Sequence, residues 1–235
     1  MQLFKEANRM LNQLDAVYQT HGVVNIMDAN ADGDDLLLNG KRFPLLRQQA
    51  AKLKKDDPFL CLSDFVRPLS SGITDKIGAF ATTVDAEMEQ LYAEDDYKRM
   101  LAQTLSDRLA EATARKATRR CRLKTWGYAP DENLSVKDLH NEKYQGIRPA
   151  VGYPSLPDQS INFLLDELLD MKQIGISLTE NGMMKPHASV CGLMFAHPAS
   201  HYFSIGKIGE DQLADYAARR GMSIEETKKF LAANL

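Results

Sequence analysis

The sequence predicts one α+β domain with a mainly antiparallel sheet, and three observations lead to this prediction. The chain has 235 residues and no low-complexity tract or flexible linker, so with domains of about 150 residues it forms one large domain or two small ones. Turn residues separate the short apolar runs, as in β-hairpins, whereas strand-helix-strand units would have a helix between them. Helix and strand patterns are therefore mixed without the regular alternation of a parallel α/β fold.

The composition is that of a folded protein and limits the possible function classes. Hydrophobic residues make up 44% and charged residues 26% of the chain, which argues against disorder. The net charge of −3 provides no general positive field for nucleic acid or a membrane surface. We recognise neither a secretory signal nor a membrane span in the sequence. The spacing of the three cysteines matches neither a zinc site nor a redox pair. We expect a cytoplasmic protein without nucleic-acid or membrane partners.

Helical spacing recurs along the chain. Apolar residues at three- and four-residue steps predict an amphipathic helix over residues 3–18. The same spacing predicts a long helix over residues 85–124, with acidic residues early and basic residues late, as the helix dipole favours. Shorter helices are predicted over 44–55, 160–172, 210–221, 135–143 and from 223 onward, the last two opened by the capping-box pairs Ser135/Asp138 and Ser223/Glu226.

Strand-like segments lie between these helices. They are predicted over residues 23–27, 35–39, 59–66, 76–84, 176–179, 188–195 and 202–208. The first two flank a turn rich in Asp, Asn and Gly and predict a hairpin. Residues 146–159 contain three prolines and two glycines, so they predict a long, stiff loop.

Two motifs imitate metal sites. Residues 28–33 begin like a calcium loop, but Leu36 and Asn39 occupy later ligand positions, so a hairpin turn is favoured. Asp138 and His140 begin like the Asp-x-His-x-x-Gly motif that binds cobalamin cobalt, but Lys143 replaces the glycine and we reject this interpretation.

Two further groups of side chains have a structural and a functional interpretation. His197 and His201 have zinc-like spacing, but Pro198 separates them and no third ligand is near, so a structural role is favoured. The helix end contains six cations, which are either a solvated face at the negative helix terminus or a docking patch for an acidic partner: Arg115, Lys116, Arg119, Arg120, Arg122 and Lys124.

The loop contains the most informative segment, Arg148-Pro-Ala-Val-Gly152-Tyr153-Pro154. An arginine fork can hold a carboxylate through two parallel hydrogen bonds, prolines stiffen the loop, and Gly152 lets a ligand approach the backbone. Taken alone, these residues fit a ligand-binding loop and a purely structural loop equally well.

Residues 146–159, GIRPAVGYPSLPDQ, resemble the S-adenosylmethionine-binding signature Arg-Pro-Ala-x-Gly-Tyr-Pro of the activation domain of cobalamin-dependent methionine synthase. The resemblance continues in order over nearly the whole chain, including WGYAPDENLS (126–135), FAHPASHYF (195–203) and DQLADYAARRGMS (211–223). It implies a C-shaped single α+β domain over residues 1–235, with a twisted, mainly antiparallel sheet flanked by helices.

The resemblance also implies a function. A domain of this family binds S-adenosylmethionine and reactivates methionine synthase by reductive methylation of cob(II)alamin, in methionine biosynthesis. The chain would be a methyltransferase component that receives cobalamin from a partner protein and an electron from flavodoxin or a similar reductant. Acidic flavodoxin is also a candidate for the basic helix end, with salt-sensitive binding.

Site residues follow from the resemblance position by position. Arg148 would hold the ligand carboxylate, and Tyr153 would face the region where the methyl group meets cobalt. Glu142 and Glu111 would place negative charge near the amine and sulfonium. The resemblance implies Tyr153 and Glu142 as catalytic residues, no metal ligand in this chain, and cofactor contacts from Arg148, Pro149, Ala150, Gly152, Tyr153, Glu111, Glu142, Tyr202 and Phe203.

The sequence departs from the family pattern in two places. The family's Asp-Trp-x-Pro-Phe-Phe segment, whose aspartate helps bind the amino group, would precede this chain. Residues 116–122, KATRRCR, differ from the usual Leu-His-containing stretch. With no corrinoid, folate or homocysteine domain, the chain would act on a cobalamin protein in trans or be part of a larger enzyme. The alternative is a non-catalytic interaction or S-adenosylmethionine-sensing module that docks on a corrinoid protein.

Overall fold

The computed structural model describes residues 2–49 and 57–235. Within them the helices are α1 Gln2–Asp15, α2 Asp96–Arg120, α3 Val136–His140, α4 Ile161–Leu169, α5 Glu210–Arg220 and α6 Ile224–Phe230. The strands are β1 Thr20–Asp32, β2 Asp35–Leu38, β3 Lys41–Pro44, β4 Asp75–Val84, β5 Ser177–Leu178, β6 Met184–Lys185 and β7 Ser189–Met194. None of the helices in the described ranges is both long and apolar enough to cross a bilayer.

The main sheet is antiparallel throughout and curled. Its strand order is β3-β2-β1-β4-β7, and β5 pairs with β6 in a separate ribbon. The hairpin of β1 and β2 turns directly after Asp32, which pairs with Asp35. Residues 28–32 therefore belong to a strand, and the predicted hairpin is confirmed with a much shorter turn. The predicted C-shaped α+β fold is also confirmed.

The sheet is buried on both faces at β4, which explains its continuous run of apolar residues. Ile77, Ala79 and Ala81 join a core cluster with Leu165 of α4, whereas Phe80 packs on the other face in a cluster that includes Ala114 of α2. The buried residues of α2 are small and four apart, so the helix can lie close to the sheet: Ala102, Ser106, Ala110, Ala114 and Thr118. Thr82 of β4 fixes this contact by donating to the Ala110 carbonyl oxygen at 2.9 Å.

Local capping chemistry explains where several helices begin. The predicted capping boxes of α3 and α6 are present. The long helix begins later than predicted, because Asp95 accepts a hydrogen bond from the backbone N–H of Lys98 at 3.0 Å and thereby caps α2. At the other end α2 continues into a π-helical turn, Cys121–Thr125.

Three predicted elements are wrong. Residues 44–49 do not start a helix, since β3 ends at Pro44 and an irregular segment follows; residues 50–56 lie outside the described residues. Residues 59–66 contain a 3₁₀ helix, Leu62–Phe65, because the Asp64 carboxylate accepts from the Cys61 N–H at 2.8 Å. Residues 202–208 form no strand, and their apolar side chains instead anchor an irregular segment in a core cluster with α5.

The last predicted strand pair is also arranged differently. β5 and β6 form the ribbon around the turn at residues 181–182, and β7 joins the main sheet beside β4. β7 is therefore an edge strand of the main sheet, and the 146–159 segment lies next to it.

Candidate functional site

A cavity of about 540 Å³ lies between α2, the 146–159 segment and residues 202–203. Its lining residues are Arg108, Glu111, Arg115, Glu142, Arg148, Pro149, Ala150, Tyr153, Pro154, Ser155, Tyr202 and Phe203. The volume falls within the roughly 300–1,000 Å³ of small-molecule sites. Eight of the nine residues that the family resemblance implies are brought together here.

The first half of the 146–159 segment runs antiparallel to β7 and orients the site. The N–H groups of Ile147 and Val151 donate to β7 or the residue after it, each at 3.0 Å. Because alternate residues of an extended segment bond to the neighbouring strand, the backbone groups of Arg148 and Ala150 point away from the sheet. The side chains of Ile147 and Val151 meanwhile join the core.

Gly192 of β7 allows the backbone of Pro149 to lie close to the strand. A Cβ atom there would lie 2.2 Å from the carbonyl oxygen of Pro149, which is far inside van der Waals contact. The cavity wall can therefore approach β7 only where the strand has no side chain.

Arg148 is the central charged residue of the wall. Its side chain is only 11% exposed, and its Nη2 donates to the Glu111 carboxylate. Burial opposes the charge, but the hydrogen bond and the attraction of Glu111 outweigh this effect and raise the pKa of Arg148. Glu111 also accepts from Arg115 Nε at 3.2 Å. Nε and Nη1 of Arg148 have no hydrogen-bond partner among the residues that the structure describes, so they are available to a ligand oxygen.

Two aromatic residues, Tyr202 and Phe203, also line the cavity. The Tyr202 hydroxyl accepts a hydrogen bond from the Arg148 backbone N–H at 3.1 Å, and burial of this hydroxyl raises the pKa of Tyr202. Phe203 packs on Phe65, with ring centroids 6.2 Å apart. Their rings provide flat apolar surface beside the charged groups.

Tyr153 and Glu142 occupy special backbone positions. Tyr153 is 61% exposed at the tip of a tight turn, which Gly152 permits through its φ of +85°. Glu142 follows α3 with φ of +55°, a conformation that costs a non-glycine residue about 1 kcal/mol or more. Gly152 does not line the main cavity and instead borders a separate hollow beside α6. Its place in the structure is that of a turn residue.

The sequence analysis missed four lining residues. Arg108 and Arg115 precede and follow Glu111 by three and four positions, so they share its face of α2. The helical spacing could have identified both. Pro154 and Ser155 also line the cavity, but only the turn at Tyr153 brings them to it.

The segment is anchored from behind by a buried polar cluster. The Asp158 carboxylate accepts from Tyr216 Oη at 2.6 Å, Ser160 Oγ at 2.7 Å and Ser160 N at 2.8 Å. Arg220 Nη2 donates to Ser160 Oγ at 2.8 Å, and Arg220 Nε lies 3.6 Å from Asp158 without a hydrogen bond. This cluster attaches the end of the segment to α5.

The sequence motifs with metal-like spacing have structural surroundings. The rings of His197 and His201 pack on Phe65, with centroids 6.2 and 5.8 Å away. Asp138 caps α3 and bonds to Lys143 at 2.9 Å. In the described ranges, 2–49 and 57–235, no group of three or more His, Cys, Asp or Glu residues is placed to hold a metal ion.

Comparison with known proteins identifies the family. The model of the vitamin B12 dependent methionine synthase activation domain matches residues 1–221. The chain belongs to this family. A crystal structure of the MetH reactivation domain bound to AdoHcy has a TM-score of 0.92 and 43% sequence identity, covering 100% of this chain and 76% of that chain. The family resemblance predicted from the sequence is therefore confirmed. In this activation domain, the segment forms one wall of the cavity between α2 and residues 202–203.

Proposed function

We propose that this activation domain binds S-adenosylmethionine in the cavity and passes its methyl group to cob(II)alamin carried by a methionine synthase. This reaction would return the enzyme to methionine biosynthesis. The proposal rests on the Arg148 guanidinium in the cavity wall of a chain 43% identical to a reactivation domain solved with AdoHcy. AdoHcy, S-adenosylhomocysteine, is what remains of S-adenosylmethionine after methyl transfer.

The charged groups of the cavity fit the amino-acid end of this ligand. A ligand carboxylate can accept a charged hydrogen bond from Nη1 or Nε of Arg148, which Glu111 does not use, and a parallel pair of bonds would also involve Nη2. Glu111 and Glu142 supply negative charge for the ammonium and sulfonium groups. Glu111 also accepts a hydrogen bond from Arg115, so Glu111 keeps a partner when a ligand carboxylate approaches Arg148.

The remaining wall suits the adenosine end. Tyr202 and Phe203 offer aromatic surface, and the Arg148 carbonyl oxygen and the Ala150 N–H, which point away from β7, can bond to the edge of a base. Pro149 fixes the backbone between them, so this edge is ordered before the ligand arrives.

The contribution of the chain to the chemistry is alignment. When bound, S-adenosylmethionine supplies an electrophilic methyl group which, with one electron, converts cob(II)alamin to methylcobalamin and leaves AdoHcy. No proton has to move, so no general acid or base is required. Tyr153, which lines the cavity and is exposed, would contact the approaching cobalamin partner. Flavodoxin or a similar reductant would supply the electron.

Titration calorimetry with AdoHcy tests the binding step. Arg148→Gln should weaken binding about 10- to 100-fold, as expected for a lost charged hydrogen bond of about 1.5–3 kcal/mol. Arg99→Gln is the control, because Arg99 pairs with Asp96 on the surface of α2, away from the cavity lining. Equal affinity of wild type and Arg148→Gln would overturn the proposed carboxylate contact.

A second experiment tests the transfer step. The protein is mixed with a methionine synthase in the cob(II)alamin state, a reductant and methyl-labelled S-adenosylmethionine. Label on cobalt supports the reactivation function. Binding of AdoHcy without label on cobalt would refute methyl transfer and favour a sensing module.

A further inference from the structure

A second, much smaller hollow lies next to the main cavity. Its volume is about 30 Å³, which leaves room for about two water molecules but for no larger group. Arg115, Glu142 and Arg148 line both spaces. The walls of the small hollow are completed by residues that the proposed function does not use: Thr118, Arg122, Leu139, His140 and Tyr144. The side chain of Arg148 therefore borders the ligand cavity and this small hollow at once.

Arg122 is the buried member of the six cations at the end of α2. It continues the four-residue series of buried positions that includes Ala114 and Thr118, and its side chain is 4% exposed. Its Nε and Nη2 donate to the two carboxylate oxygens of Glu132 at 2.6 and 2.9 Å. Because a bidentate pair fixes both partners and this one is buried, the Arg122 guanidinium is held in one orientation.

Tyr144 packs on this fixed guanidinium. The Cζ atom of Arg122 lies 4.0 Å from the centroid of the Tyr144 ring, well within the roughly 6 Å of a cation–π contact. The chain after Tyr144 is anchored too, because the Gln145 side chain donates to a backbone carbonyl oxygen beyond β7 at 2.7 Å and Ile147 pairs with the residue that follows β7. Both the ring and the backbone that follows it are therefore held in place.

The orientation of Arg148 depends on such surroundings. Among the described residues its guanidinium has one side-chain hydrogen-bond partner, Glu111, which accepts from Nη2. An arginine side chain has many rotamers, and Glu142, which borders the small hollow, is an alternative partner. Without the ring of Tyr144 the hollow would gain the volume of a phenol group, and the guanidinium could turn into it, away from the ligand.

We propose that Tyr144 is a positioning residue for Arg148. Its ring, supported by Arg122, limits the small hollow and keeps the Arg148 guanidinium where it can meet a ligand carboxylate. The ligand then does not have to order this side chain, which lowers the entropic cost of binding. This role rests on the proposed function, since it concerns the amino-acid end of the ligand. It gives a part in recognition to two side chains that do not line the main cavity.

Titration calorimetry with two ligands tests this role. AdoHcy has the amino-acid end, whereas methylthioadenosine has the nucleoside and its sulfur without carboxylate or ammonium. The ratio of the two affinities measures the contribution of the amino-acid end, and partial unfolding leaves this ratio unchanged. Tyr144→Ala should weaken AdoHcy binding about 2- to 10-fold, as expected for one more side chain that has to be ordered, and leave methylthioadenosine binding unchanged.

Three further variants serve as controls. Tyr144→Phe keeps the ring, and the hydroxyl that it removes has no hydrogen-bond partner in the described part of the chain, so this variant should bind both ligands like wild type. Tyr97→Ala removes a tyrosine ring that bonds to Glu6 outside both cavities, and it should also bind like wild type. Tyr144→Leu keeps apolar bulk and should show a smaller loss of AdoHcy affinity, which decides the matter if the alanine variant does not fold.

Arg122→Lys tests the support of the ring. Lysine keeps a charge for Glu132 but has no flat face, so AdoHcy affinity should fall while methylthioadenosine affinity does not. The effect should disappear in the Tyr144→Ala background, and additive effects would overturn the part assigned to Arg122.

Other outcomes would overturn the proposal as a whole. These are equal losses for both ligands in Tyr144→Ala, unchanged AdoHcy affinity in that variant, or the same loss in Tyr144→Phe. If Arg148→Gln lowers the affinity ratio and Tyr144→Ala does not, only the positioning role fails. If wild type binds both ligands equally and Arg148→Gln has no effect, the carboxylate contact of the proposed function fails with it.

Discussion

Replacing Asp158 by asparagine should reveal how strongly the binding segment is anchored from behind. The side chains of Asp158 and Arg220 are only 3% and 7% exposed, and the asparagine has nearly the same shape but no charge. Arg220 would then remain buried without a counter-charge. Removing one partner of a buried ion pair costs about 3–5 kcal/mol. For a domain of this size, about 2–4 °C per kcal/mol gives a fall in Tm of roughly 6–20 °C.

Thermal and urea denaturation measure this loss, and a double variant tests its cause. Asp158→Asn/Arg220→Met removes the uncompensated charge along with the carboxylate, so it should recover a substantial part of the lost stability. AdoHcy affinity of Asp158→Asn should also fall, because Asp158 closes the segment that includes Arg148. A destabilisation below about 1 kcal/mol, or a double variant less stable than the sum of the single ones, would refute the reasoning.

Three further predictions follow from the same geometry. Gly192→Ala should destabilise the fold by about 1–3 kcal/mol and weaken AdoHcy binding, since the new methyl group would collide with Pro149; unchanged calorimetry would contradict this role. Tyr153→Ala should change the free energy of unfolding by less than about 0.5 kcal/mol, because the side chain is exposed, yet slow methyl transfer roughly tenfold; equal transfer rates in wild type and variant would argue against its catalytic role. Burial raises the pKa of Cys61 to about 11 and that of Cys191 to about 12, from an ordinary value of 9.0. The unfolded chain therefore releases these protons first, and the free energy of unfolding should decrease as the pH rises above about 9, as urea denaturation at a series of pH values can show.

Elements defined by local chemistry could be predicted from the sequence. The α3 and α6 capping boxes involve residues three positions apart, and β4 is a continuous apolar run. The 3₁₀ helix at Leu62–Phe65 could not be separated from a strand, because its apolar residues are buried by distant parts of the chain. Residues 202–208 were mistaken for a strand for the same reason, since their apolar side chains, Phe203, Ile205 and Ile208, anchor an irregular segment in a core cluster.

The site shows the same division between local and tertiary information. Arg148 was recognisable from its proline-rich surroundings and the family signature. Its pairing with Glu111, which is 37 positions away in the chain, was not. Neither was the division of the basic cluster, because only the folded chain shows that Arg122 is buried with Glu132 whereas Lys116 is exposed.

The pairing of residues 147–151 with β7 links ligand binding to the protection of a sheet edge against self-association. β7 is a terminal strand of the sheet, and unpaired terminal strands are templates for association with other chains. The peptide that shapes the pocket also shields this strand. A substitution that detaches this peptide from β7 should therefore produce self-association together with the loss of ligand binding.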